Sequence, residues 1–132
     1  MSAMTGSLST EVVHDEFKWH TDFDLFNQTE GPRVLLFTAE NWCSWCKKLD
    51  KRILDKPEFA DAISKKITFF KVDLENGGDP RMLEVFKAQR FPTMVFIDSK
   101  GNKIGEMGFK NVSPEKYAEL IHEIFKKAGE RV

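Results

Sequence analysis

The hydrophobic positions of this chain follow two rhythms, unbroken runs and helical stripes. The runs are strand-sized. Arg33 to Ala39 contains Val34-Leu35-Leu36-Phe37, and a continuous apolar stretch suits a central strand covered on both faces. Ile67 to Leu74, with Phe69, Phe70 and Val72, predicts a second strand, and Thr93-Met94-Val95-Phe96-Ile97 a third. Lys103 to Phe109 is weaker and reads as an edge strand, joined to the third through the hairpin Asp98-Ser99-Lys100-Gly101-Asn102. Phe17-Lys18-Trp19-His20 alternates apolar and polar residues, as a short half-buried strand would.

The stripes predict helices between these runs. Thr21 or Asp22 can cap a helix carrying Phe23, Leu25 and Phe26, which Glu30-Gly31-Pro32 ends. From Cys43 onward, Cys46, Leu49, Ile53 and Leu54 fall on one helical face, and Lys47, Lys48, Lys51 and Arg52 mainly on the other. Pro57 interrupts that helix, and a shorter one using Phe59, Ala62 and Ile63 follows. Asp79 is a cap with Pro80 in the first helical position, ahead of Met82, Leu83, Val85 and Phe86. Ser113-Pro114-Glu115 opens the last helix, whose stripe is Tyr117, Leu120, Ile121, Ile124, Phe125 and Ala128. Strand–helix–strand units early in the chain imply parallel pairing, and the late hairpin implies an antiparallel edge. The expected class is α/β, with a central mixed sheet flanked by helices on both faces.

Length and charge narrow the functional classes. A chain of 132 residues suggests one domain. We expect that domain over residues 15–132, with residues 1–14 a poorly held tail or an expression scar. The 20 basic and 21 acidic residues nearly cancel, so the basic excess of a nucleic-acid footprint is missing. No apolar run approaches the ~20 residues of a membrane span. A secretory signal is not visible, but a trimmed start would remove it, so the compartment stays open on this ground.

The chemistry is concentrated in Trp42-Cys43-Ser44-Trp45-Cys46-Lys47, which holds both cysteines of the chain. A dithiol where a buried strand turns into a helix points to redox exchange. A helix N-terminus presents unpaired N–H groups and partial positive charge, which stabilise a thiolate. Cys43 is therefore expected to be the nucleophile, with its pKa lowered from ~8.5. Cys46, one turn on and more buried, is the resolving thiol. Such a pair works without a further cofactor, its own disulfide being the redox group. As a structural staple it would close only a very short loop. As half of a zinc site it would need His14, His20 or His122, which lack ligand-like spacing. No metal is expected.

The flanking residues have less specific readings. Trp42 suits either a substrate-gripping rim or ordinary packing, whereas Trp45, inside the dithiol loop, is expected to be exposed as an apolar contact for protein substrates. Lys47 lies on a solvated helix face but can also lower a thiol pKa. Phe91-Pro92 precedes a core strand, where proline is accepted at the first position.

In combination, Trp42-Cys43-x-x-Cys46-Lys47 after a buried strand, Val72-Asp73, Phe91-Pro92-Thr93 and Asp98-x-x-Gly101 resemble the thioredoxin fold over residues ~15–128. Within it, Phe37-Thr38, the Trp before Cys46, Phe91-Pro92 and Met107-Gly108-Phe109 resemble bacterial envelope disulfide reductases, the group of DsbH and the C-terminal domain of DsbD. That resemblance implies a monomeric, periplasmic enzyme (the alternative being cytoplasmic). It would act on protein or peptide disulfides and draw electrons from an upstream thiol donor such as a DsbD-like membrane protein. It also implies that Pro92 is cis opposite the dithiol and that the Phe91 backbone hydrogen-bonds an extended substrate segment; with the aromatic readings above, Trp42, Ser44, Trp45, Phe91 and Pro92 are the expected substrate contacts. An oxidase or isomerase using the same dithiol, and a non-catalytic binding or chaperone module, are the alternatives. Two departures stand out. Ser44-Trp45 replaces the Gly-Pro of thioredoxin. Phe37 occupies the position where thioredoxin and DsbD carry a proton-handling aspartate, which leaves water or nearby Glu40 to deprotonate Cys46.

Overall fold

The computed structural model describes residues 17–132, so the expectation for residues 1–14 lies outside them. Four strands form: β1 (Arg33–Thr38), β2 (Thr68–Asp73), β3 (Thr93–Ile97) and β4 (Lys103–Met107). The sheet order is β2-β1-β3-β4. β1 pairs parallel with β2 and antiparallel with β3, and β3 pairs antiparallel with β4. The two central strands are buried along their whole length, as continuous apolar runs require.

The side-chain period of two splits the core. Val34, Leu36, Met94 and Phe96 face one layer; Leu35, Phe37, Val95 and Ile97 face the other. The first layer is covered by α2 (Ser44–Leu49) with its continuation Asp50–Leu54, by α3 (Pro57–Ala62) and by α5 (Pro114–Lys127). The second is covered by α1 (Phe23–Gln28) and α4 (Arg81–Val85). The molecule is a thioredoxin fold: a mixed sheet with helices on both faces.

Four expectations need correction. Phe17 to His20 does not form a strand; His20 makes one isolated bridge to Phe70. The Phe17 and Trp19 rings instead pack edge-on to Phe69, so aromatic burial decides this segment rather than strand alternation. Ala62, the last residue of α3, and Ala128, which caps the end of α5, are exposed. Val85 is exposed, because α4 is only five residues long and does not complete an apolar face. α4 begins at Arg81, one residue later than expected, with Pro80 just before it; Asp79 still caps its start, its carboxylate accepting the Arg81 N–H.

Two local features position the ends of the sheet. Asp98 accepts the N–H groups of Lys100 and Asn102 in the β3–β4 hairpin, where Gly101 takes φ +88°, a left-handed turn suited to glycine. The Phe91–Pro92 peptide bond, just before β3, is cis.

Candidate active site

Ala39 follows β1, and the chain turns through Glu40, Asn41 and Trp42 into α2. The turn is held by the Cys43 N–H donating to the Ala39 carbonyl at 3.0 Å, and by the Asn41 N–H donating to the Glu75 carboxylate at 2.8 Å. Cys43 is the N-cap and Ser44 the first residue of α2. The Cys43 Sγ accepts the Cys46 N–H at 3.2 Å. The helix terminus thus offers a backbone donor directly to this sulfur, which favours the thiolate. Cys43 and Cys46 are joined as a disulfide. Cys43 retains 6% of its surface and Cys46 1%, so of the two sulfurs Cys43 is nearer to a partner in solution.

The sequence-predicted residues sort into a front and a periphery. Ala39, Cys43 and Cys46 form a small apolar cluster with Phe91 packed on it. Trp42 is 63% and Trp45 52% exposed. Trp42 meets Phe91 edge-on at 5.8 Å, and Trp45 meets Phe109 at 5.5 Å. The dithiol therefore sits between two aromatic pairs. Pro92 is buried beside them. A Cβ on Gly108 would lie 3.4 Å from the Pro92 carbonyl, so the chain leaving β4 passes close to Pro92. The buried Tyr117 hydroxyl donates to the Gly108 carbonyl at 2.7 Å, holding that passage against α5. Burial pushes the Tyr117 phenol well above its ordinary range, so it stays a donor. Ser44 is exposed at the helix start.

The two candidate tuning residues have separate surroundings. Lys47 is exposed and forms no ion pair among the described residues; it is Lys48 whose ammonium lies over the Trp45 ring, at 4.2 Å. Glu40 pairs with Lys71 of β2 at 3.3 Å.

Sequence reasoning missed Asp50 and Lys71. Asp50 follows Cys46 by one helical turn and starts the π-helical stretch Asp50–Leu54, closed by the Asp55 N–H donating to the Asp50 carbonyl. Burial raises its carboxyl to about 6; Lys71 pulls it down, while Glu40, Asp55 and Asp73 push it further up. The available signal was an acid at i+4 from Cys46, interrupting an otherwise apolar stripe. Among the described residues no group of three or more His, Cys, Asp and Glu is placed to hold a metal ion.

A cysteine pair at the first turn of the helix after a central strand, on a thioredoxin fold, defines a class before any comparison. The chain belongs to the thioredoxin-like domain family, whose model matches residues 20–125. It is similar to the disulfide bond reductase DsbH of Chlamydia pneumoniae, 27% identical over 108 residues that cover 75% of this chain and 65% of that protein. It is also similar to the thiol:disulfide interchange protein DsbD of Cronobacter sakazakii, 28% identical over 78 residues, 58% of this chain and 14% of that protein. A solved structure of a DsbH oxidoreductase superposes with a TM-score of 0.71 at 25% identity, covering 84% of this chain and 85% of that one. The chain thus spans about two thirds of the length of DsbH and a small part of DsbD.

Proposed function

We propose that this protein is a thiol–disulfide oxidoreductase that reduces disulfides in protein or peptide substrates. The observation that carries the reading is Cys43 at the helix cap, its sulfur accepting a backbone N–H, between exposed aromatic side chains. The Cys43 thiolate attacks a substrate disulfide and forms a mixed disulfide. Cys46 then attacks Cys43 and releases the reduced substrate, leaving the Cys43–Cys46 bond. Trp42 and Trp45 supply apolar contact for an unfolded or extended substrate segment, which the Phe91 backbone beside Pro92 hydrogen-bonds. The pair is its own redox group and needs no metal or organic cofactor. Similarity to DsbH and DsbD supports the reducing direction, a periplasmic setting and recharging by a membrane thiol donor of the DsbD kind.

Insulin reduction tests the chemistry: wild type is expected to turn over, and Cys43→Ser to fall to background. Equal, negligible activity in both would leave only a binding module. Equilibration of the pair with glutathione tests the direction. A potential above roughly −200 mV, toward the isomerase and oxidase range, sinks the reductase assignment.

A further inference from the structure

Resolution of the mixed disulfide requires Cys46 to lose a proton, and Cys46 is almost wholly buried. Phe37 cannot receive that proton; its ring packs in the layer under α1 and α4. The opposite face carries the polar groups. Side chains at i and i+4 of a helix lie one above the other, and each leans toward the helix N-terminus. Asp50 therefore leans onto the turn that carries Cys46. The π-helical stretch begins at this residue; single π turns inside helices recur at functional sites.

Asp50 also has a route to water. Lys71 and Glu40 both act on it electrostatically, and they are paired with each other. Glu40, Lys71 and Asp73 line an open cleft of ≈ 340 Å³ at the β2 edge of the sheet. Helix spacing sets Asp50 one turn from Cys46, and the Glu40–Lys71 pair that acts on it lines the cleft.

We propose that Asp50 accepts the proton of Cys46 during resolution and hands it to solvent through the Glu40–Lys71 pair. This inference rests on the oxidoreductase reading. Cys46 Sγ gives its proton to the Asp50 carboxylate and attacks Cys43 Sγ. The Cys43–Cys46 bond forms as the bond between Cys43 and the substrate sulfur breaks. That sulfur leaves with the electron pair and takes a proton from water. The substrate disulfide is reduced by two electrons and the protein dithiol oxidised. A carboxyl raised to about 6 by burial is still ionised at neutral pH, and is a better base toward a thiol than an ordinary carboxylate. The charged groups acting on it are Lys71 and Asp73 of β2, Glu40 of the dithiol turn, and Asp55 beyond the π turn.

The test compares wild type, Asp50→Asn, Asp50→Glu and Glu40→Gln as full chains. Reduced protein is mixed rapidly with oxidised glutathione between pH 5 and 9. The capture of glutathione on Cys43 and its release by Cys46 are then timed separately. In Asp50→Asn, capture is expected within twofold of wild type, and release slowed at least about tenfold at pH 7, at the low end of general-base contributions. Wild-type release is expected to fall below pH ~6, and in Asp50→Asn that fall disappears, because no carboxylate remains to be protonated. Asp50→Glu restores most of the rate. In a Cys43→Ala background, Asp50→Asn should also shift alkylation of Cys46 by iodoacetamide to lower pH, by roughly one unit, since a neighbouring negative charge is gone. The thiol then ionises more readily while resolution slows, a divergence that a merely structural role does not produce. Wild-type release kinetics in Asp50→Asn, an unshifted Cys46 titration, or a loss confined to Glu40→Gln each overturn the role of Asp50. A wild type that never reduces insulin overturns the oxidoreductase reading instead, and the Cys46 titration still reads the Asp50 coupling in that case.

Discussion

Trp42 and Trp45 leave more than half of their surface in solvent beside Cys43. Asp50, one turn behind Cys46, is half-buried and shares its surroundings with Lys71 and Glu40. The front of the dithiol is apolar and open; the back is polar and partly enclosed. In the proposed mechanism the two sulfurs need opposite things. The attacking sulfur must meet a foreign disulfide, and aromatic surface holds a substrate without dictating its sequence. The resolving sulfur must stay out of reach of the solvent and still give up a proton, which requires a base close by.

The strongest way to break this division is to exchange the roles of the cysteines. Cys43→Ala should lower insulin reduction by at least roughly a thousandfold, as removal of a nucleophile does. Cys46→Ala should accumulate mixed disulfides on Cys43, visible on non-reducing gels. Were Cys43→Ala the better trap, front and back would be reversed. Next come the aromatic walls. Trp45→Ala, and to a lesser degree Trp42→Ala, should raise KM for insulin about tenfold, the cost of truncating one well-placed aromatic anchor. The rate with oxidised glutathione, too small to span the walls, should stay within twofold. A parallel loss with both substrates would move the tryptophans from substrate contact to support of the fold.

Smaller effects read the back of the site through stability. The Asp50 carboxyl is raised in the folded state from 3.8 to about 6, so folding favours its protonated form. The stabilisation is fully present below pH ~4 and is lost as pH rises through ~6. Asp50→Asn should therefore be more stable than wild type at pH 7 to 8. The margin is about 1 kcal/mol once partial exposure and screening are discounted, and it closes as pH falls toward 4. Urea melts across that range give the difference directly. His122 has the opposite sign. Its Nε2 accepts the Ser64 N–H at 3.0 Å, and burial, then Lys126, lowers its pKa from 6.5. The folded state binds fewer protons here than the unfolded state, so stability should fall as pH drops through 6.5 and below. Partial exposure screens this effect and keeps it small. His122→Gln, with its own acceptor, should flatten that decline.

The central strands and the dithiol were legible because each is a local pattern. Val34 to Phe37 and Thr93 to Ile97 are apolar throughout, and such runs have few options besides a covered strand. Cys43-x-x-Cys46 at a strand-to-helix turn needs no tertiary information to be read as redox-active. Phe17 to His20 misled because alternation describes a strand only if a partner offers a matching edge, and here the aromatic rings found Phe69 instead.

By itself, the order of residues determined the α/β class, the redox pair, the Trp45 exposure and most of the apolar runs and stripes that build the core. These depend on spacing within one element, and helical or strand periodicity converts spacing into a face. Tertiary structure alone decided that Phe109 meets Trp45, and that Lys71 on one strand joins Glu40, 31 residues away, beside Asp50. Those meetings follow from the parallel register of β1 and β2 and from the direction in which the chain leaves β4. No local pattern encodes them, because the free energy that sets the register comes from burying the whole sheet and not from the few polar groups it brings together.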